Sequence, residues 1–185
     1  MKTLILLFIV IFSLFFMQDV ITAQIKVTVS SASGSTDTKG VNFSNLKSFF
    51  VNLRDKLPGD WSGNVEWKYY NKGDSIYLIT LIPKYRIILP KWIEASSQPK
   101  ECQEIYDKEI GYLEEHEKEH QQILDDLLTK LENELSKKSP RTSISDLEKI
   151  IEEYNVELDD KTKELDDTTD HGRKDRSYDL PETCK

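Results

Sequence analysis

The 185-residue sequence predicts an α+β fold. A small antiparallel sheet with one helix fills the N-terminal half; a long helix and a second, antiparallel helix follow. Three observations carry this. Apolar and polar residues alternate in "QIKVTVSS" and "NVEWKYYN", the two-residue period of a half-buried strand. Near Ser96 the period changes: from Glu101 to Lys138 there is no proline, one glycine, and an apolar stripe at helical spacing. Ser139-Pro140 breaks that run and a second stripe begins, the pattern of a helical hairpin.

The elements follow in order. "MKTLILLFIVIFSLFFMQDVITAQ" has a basic start, an apolar middle from Leu4 to Met17 and small residues near Ala23, the order of a secretory signal over residues 1–23. Its apolar run stops at Gln18-Asp19, short of the ~20 residues a membrane span needs. An uncleaved anchor is the alternative. Residues 24–185 then form a single domain, long enough to bury a core. Ile25, Val27 and Val29 mark a first strand, and "SASGSTDTKG" reads as a loop by composition. Phe43, Leu46, Phe49, Phe50, Leu53 and Leu57 take helical spacing, with Ser44 or Asn45 as cap and Pro58-Gly59 as stop. "NVEWKYYN" and "SIYLITLI", joined by Asn71-Lys72-Gly73-Asp74, predict a hairpin. Pro83 makes "KYRIILP" an edge strand or a broken continuation. Ile105, Leu113, Leu124, Leu127, Leu131 and Leu135 line the long helix. Ser145 with Glu148 resembles a capping box for the next, which carries Leu147, Ile151, Tyr154, Leu158 and Leu165.

A net charge of −8 and the lack of a basic, aromatic-rich patch argue against nucleic acid as a partner. Cys102 and Cys184 are the two cysteines, and a secretory route is oxidising, so a disulfide between them is expected over two free thiols. Asn42-Phe43-Ser44 is a glycosylation sequon.

The chemistry concentrates in "YLEEHEKEHQQI". His116 and His120 lie four apart, on one face of a helix, and Glu117 is offset by one residue. Metallohydrolases use H-E-x-x-H in this way: two imidazoles hold Zn²⁺ and the glutamate takes a proton from a water. Stepping back from Leu124 by fours reaches His120 and His116, so both fall on the apolar stripe. Ordinary surface histidines would instead lie among the outward glutamates. A catalytic zinc site needs a third ligand and an open position. The third histidine of the chain, His171, follows the second helix, where an antiparallel return brings it near the pair. Asp166, Asp167 and Asp170 are alternative ligands or acceptors for an imidazole N–H. Tyr154 and Tyr178 are candidates for donating to a developing oxyanion.

"EEHEKEHQQI", "LDDTTDHG" and "IILPKW" together resemble a family of predicted secreted zinc-dependent proteases, a largely bacterial domain of unknown function. The resemblance carries an H-E-x-x-H helix and a downstream Asp-x-x-Thr-x-His-Gly onto Asp166, Thr169, His171 and Gly172, and a Leu-Pro-x-Trp onto Leu89, Pro90 and Trp92. It departs at Glu119, where the family commonly has glycine. It implies a zincin-like peptidase with Glu117 as base, Zn²⁺ on His116, His120 and His171, and Asp166 and Thr169 around them; Asp170 remains a further candidate acceptor beside them. A peptide or protein is then the substrate, met outside the cytoplasm, in a periplasm or beyond the cell, with no lasting membrane anchor. "KYRIIL" is the strand suggested for edge pairing with it. The competing reading is a non-catalytic secreted module whose acidic helical hairpin binds a partner or a cation; a degenerate family member is a third.

Overall fold

The computed structural model describes residues 24–55, 59–172 and 179–185. The signal segment 1–23, Leu57, Pro58 and Tyr178 lie outside the described residues. In chain order the elements are β1 (Lys26–Val29), β2 (Ser33–Val41), α1 (Leu46–Asp55), β3 (Asp60–Lys72), β4 (Ser75–Trp92), α2 (Lys100–Leu135) and α3 (Ile144–Thr169). The fold is α+β, as expected, with a small sheet laid against a long central helix.

Strand β4 organises the sheet. Its alternate residues Ile79, Leu81, Ile87 and Leu89 are buried, the period a sheet with one covered face requires. Strand β3 returns on it as the expected hairpin, Lys72 opposite Ser75, with Gly73 at φ 61 in the turn. On the other edge β1 pairs with Leu78–Leu81 and β2 with Lys84–Trp92, both parallel. The sheet is therefore mixed rather than antiparallel throughout. Strand periodicity reports which face is buried but not strand direction, and here α1 and β3 form the crossover that parallel pairing needs. Pro83 does not break β4: it falls between the stretches paired with β1 and β2, where no N–H is asked of it.

Residues Ser33–Val41, expected as a loop, form an edge strand. Nearly all its side chains are exposed, so it has no apolar alternation to read; backbone pairing with β4 and an ion pair from Arg86 Nε to Asp37 at 2.8 Å hold it. The segment "KYRIIL" is not an edge, because Lys84–Ile88 is flanked by β2 and β3.

Helix α1 is capped by Asn45, whose Oδ1 accepts from Ser48 N at 2.8 Å. In α3 the cap is Ser143, not Ser145: its Oγ accepts from Asp146 N at 3.1 Å. The same Ser-x-x-acid pattern occurs twice, two residues apart, and the earlier copy wins. Contacts between α2 and α3 run in opposite senses. Lys130 meets Glu157 at 2.8 Å, Tyr154 donates to Glu134 at 3.2 Å, and His116 meets Asp166 at 3.0 Å, so the helices are antiparallel.

Two apolar clusters result. One joins the β1–β3–β4 face to Leu124, Leu127, Leu131 and Leu135 of α2 and Leu147, Ile151 and Leu158 of α3. The other gathers Phe43, Leu46 and Phe49 around Trp92, Tyr106 and Leu113; Phe49 stacks on Trp92 at 6.2 Å, and Tyr106 Oη accepts from Trp92 N at 3.0 Å. Among the described residues no helix is long and apolar enough to cross a membrane.

Cys102 and Cys184, both buried, form a disulfide spanning 82 residues. Replacing both by serine is expected to cost about 2–5 kcal/mol, chiefly by freeing the unfolded chain. Urea unfolding with the midpoint unmoved would contradict this.

Candidate metal centre

Between the two clusters the stripe of α2 turns polar. From Leu113 to Leu124 its buried positions are His116, Glu117 and His120, 4 %, 2 % and 2 % exposed. The same helix face that buries leucine above and below thus drives three ionisable side chains under cover. Glu114, Glu115 and Glu119, between them, are not among its buried residues. The indole of Trp61 stacks on His120 (5.5 Å, 22°) and fixes that ring's plane.

His116 Nε2, His120 Nε2 and Asp166 Oδ1 form a triangle with sides of 3.2, 3.0 and 3.1 Å. Asp166 is on the last turns of α3, where antiparallel register sets it beside the pair. Among the described residues, these three bring their donor atoms within 4.8 Å of one another. His171 is not part of that set; it joins through Asp166, its Nδ1 lying 3.2 Å from the same Oδ1. The expected convergence of three histidines is thus replaced by two histidines and an aspartate. Helix α3 is still regular at residue 166 and turns only after Thr169, so Asp166 arrives first.

While Asp166 is a carboxylate, hydrogens alone do not satisfy this triangle. With neutral imidazoles and an ionised Asp166, hydrogens on both Nε2 atoms face each other. One hydrogen leaves a lone pair facing the carboxylate, and none leaves three such contacts. A single cation resolves all three. The side lengths also suit one: Zn–N bonds of ~2.0–2.1 Å imply a tetrahedral edge of about 3.3–3.4 Å. Burial lowers the pKa of His120, keeping its imidazole neutral as a ligand must be; Asp166 opposes this and His116 adds to it.

Glu117 sits beside the triangle with Oε2 lacking a partner among the described residues. Burial first, then the charges of Asp166 and Asp60, push its pKa up to about 8. A Cβ on Gly59 would collide with Glu117 Oε1, so this glycine lets the start of β3 close over the acid.

The Asp-x-x-Thr-x-His-Gly residues each have a part. Thr169 Oγ1 donates to Leu165 O at 2.7 Å and accepts from Gly172 N at 3.0 Å, cinching the end of α3. Asp170 and His171 take positive φ (49 and 52), as does Gly172 (72). Asp170 is the helix C-cap, its N–H on Asp166 O, and Thr169 Oγ1 bonds the backbone of Leu165 and Gly172, so both shape the turn that holds Asp166. A Cβ on Gly172 would lie 2.8 Å from His116 Cβ. Gly172→Ala is expected to lower stability by about 1–2 kcal/mol from backbone strain alone, read as a drop in thermal midpoint; an unchanged midpoint would refute the tight fit.

A cleft of about 360 Å³ opens onto Glu117, His120, Asp166 and His171. Its walls are Trp61, Ile88 and Pro90, with Lys39 and Asp60. Tyr154 is elsewhere: its hydroxyl donates to Glu134, burial and that bond push its pKa up to about 12, and it is twelve residues, about 18 Å of helix, from Asp166. Tyr178 falls outside the described residues. Asp60 and Trp61 were not legible as site residues, although Trp61 continues the period of Val65 and Trp67.

No curated protein and no solved structure matches the chain. A family model described as "Bacterial protein of unknown function (DUF922)" matches residues 32–172, from the edge of β2 to the glycine packed on His116. That stretch holds every residue of the triangle, Glu117 and the cleft walls, and the chain belongs to this family.

Proposed function

We propose that this protein is a zinc-dependent metallopeptidase, with Zn²⁺ held by His116, His120 and Asp166 and with Glu117 as general base. The triangle, which hydrogens on neutral imidazoles beside a carboxylate leave unsatisfied, carries the reading. When bound, the ion would polarise the scissile carbonyl and acidify a water. Glu117 accepts the proton of the attacking water and passes it to the leaving amine. Near a dication its carboxyl gives up the proton it otherwise keeps to about pH 8, becoming a base. His171 holds Asp166 from the cleft side and orients it. An extended peptide lies in the cleft against Trp61, Ile88 and Pro90. A compartment that permits disulfides, outside the cytoplasm, is supported by Cys102–Cys184.

A non-catalytic module has no use for a buried acid aimed at the cluster, and Glu117 is what separates the two readings. The test is elemental analysis with a dye-labelled casein assay on the oxidised chain. One zinc per chain is expected, with casein cleavage lost on chelation and restored by zinc. Zinc affinity should fall on acidification, and because burial lowers the pKa of His120 that ligand is lost only below the ordinary imidazole value of ~6.5. A protein that takes up no zinc sinks the reading; zinc without cleavage of casein or of a mixed peptide library leaves the binding module.

A further inference from the structure

We propose that Glu119 is a positioning residue for His116, accepting a hydrogen bond from its Nδ1–H when Nε2 holds the ion; this rests on the metal reading above. His116 Nδ1 is buried and has no hydrogen-bond partner among the described residues. While the ring's one hydrogen sits on Nε2 toward Asp166, Nδ1 is a bare acceptor and its isolation costs little. A ring that gives its Nε2 lone pair to a cation carries the hydrogen on Nδ1 instead. Metal loading thus turns a bare acceptor into a buried donor, which must find an oxygen.

The oxygen is close at hand. A second recess, of about 250 Å³, lies between α2 and the end of α3, lined by Tyr112, Glu115, His116, Glu119 and the Thr168–Thr169 and Gly172 turn. A Cβ on Gly172 would stand 3.4 Å from Nδ1, so this nitrogen faces the recess. The threonine hydroxyls of this recess donate to carbonyls of α3, and Thr169 Oγ1 also accepts from Gly172 N, whereas a carboxylate is the stronger acceptor for a buried N–H. Side chains on a helix lean toward its N-terminus, so Glu119, three residues on, leans back over His116, while Glu115 leans away from it.

The experiment measures zinc affinity of the full oxidised chain by competition with a chromophoric chelator. Glu119→Ala is expected to weaken zinc about 10–100-fold, the usual loss when an outer partner of a metal-bound histidine is removed. Glu119→Gln should recover most of it, because an amide oxygen also accepts. Glu115→Ala should match the parent, and the pH of half-release should rise in Glu119→Ala alone. Melting of the metal-free variants, expected to be unchanged, separates this from a folding defect. Affinity in Glu119→Ala within about two-fold of the parent overturns the assignment, as do equal losses in the Ala and Gln variants, which would indicate charge rather than a hydrogen bond. A parent chain that binds no zinc sinks the inference together with the reading beneath it, whereas unchanged zinc in Glu119→Ala sinks the inference alone.

Discussion

Glu117→Gln is expected to lose about 10²–10⁴-fold in peptide hydrolysis, the usual contribution of a positioned base, while still binding one zinc per chain. The amide fills the same space under Gly59 but cannot take a proton. The variant has a second signature in the metal-free protein. Burial and the nearby Asp166 and Asp60 raise the carboxyl from 4.5 to about 8, so the folded state favours the protonated form. Stability from this group is full below pH 4.5 and is lost as pH climbs to about 8. Glutamine does not titrate, so across that window the parent should lose stability relative to the variant. Parallel stability curves would contradict the buried acid; hydrolysis within about ten-fold of the parent would remove Glu117 from the chemistry.

The second large effect separates the ligand sets. Asp166→Ala removes one corner of the triangle; His171→Ala removes only the group behind it. Loss of the orienting histidine should cost about 10–100-fold in zinc affinity, and loss of Asp166 should cost more. The reverse order would return the third place to His171 and restore a three-histidine centre. Chelator competition on the two variants side by side decides it.

The features legible in the sequence were those that repeat along one element. The α2 stripe by itself places His116 and His120 inward, because a 3.6-residue period ties each position to Leu113 and Leu124. The hairpin around Gly73 and the disulfide were legible from turn chemistry and from two cysteines. What stayed hidden depends on partners far along the chain. Strand β2 is held by backbone bonds to β4 and shows no side-chain pattern. Parallel and antiparallel strands bury the same residues, so direction left no trace. The choice between Asp166 and His171 turns on where α3 stops, and one helical turn is finer than hairpin arithmetic resolves. Gly59, Asp60 and Trp61 become cleft wall only once β3 lies against α2.

The bond between Cys102 and Cys184 encloses α2, α3 and the turn at Gly172 in one covalent ring. His116, Glu117, His120, Asp166 and His171 all belong to that ring. The exposed connection between α2 and α3 offers a protease a cutting point. A single cut there turns the ring into two strands still tied at Cys102–Cys184, with the helix contacts holding the other ends together. The damaged molecule would run as two bands on a reducing gel and as one on a non-reducing gel. All five site residues would remain tethered to one another after the backbone between the helices is gone.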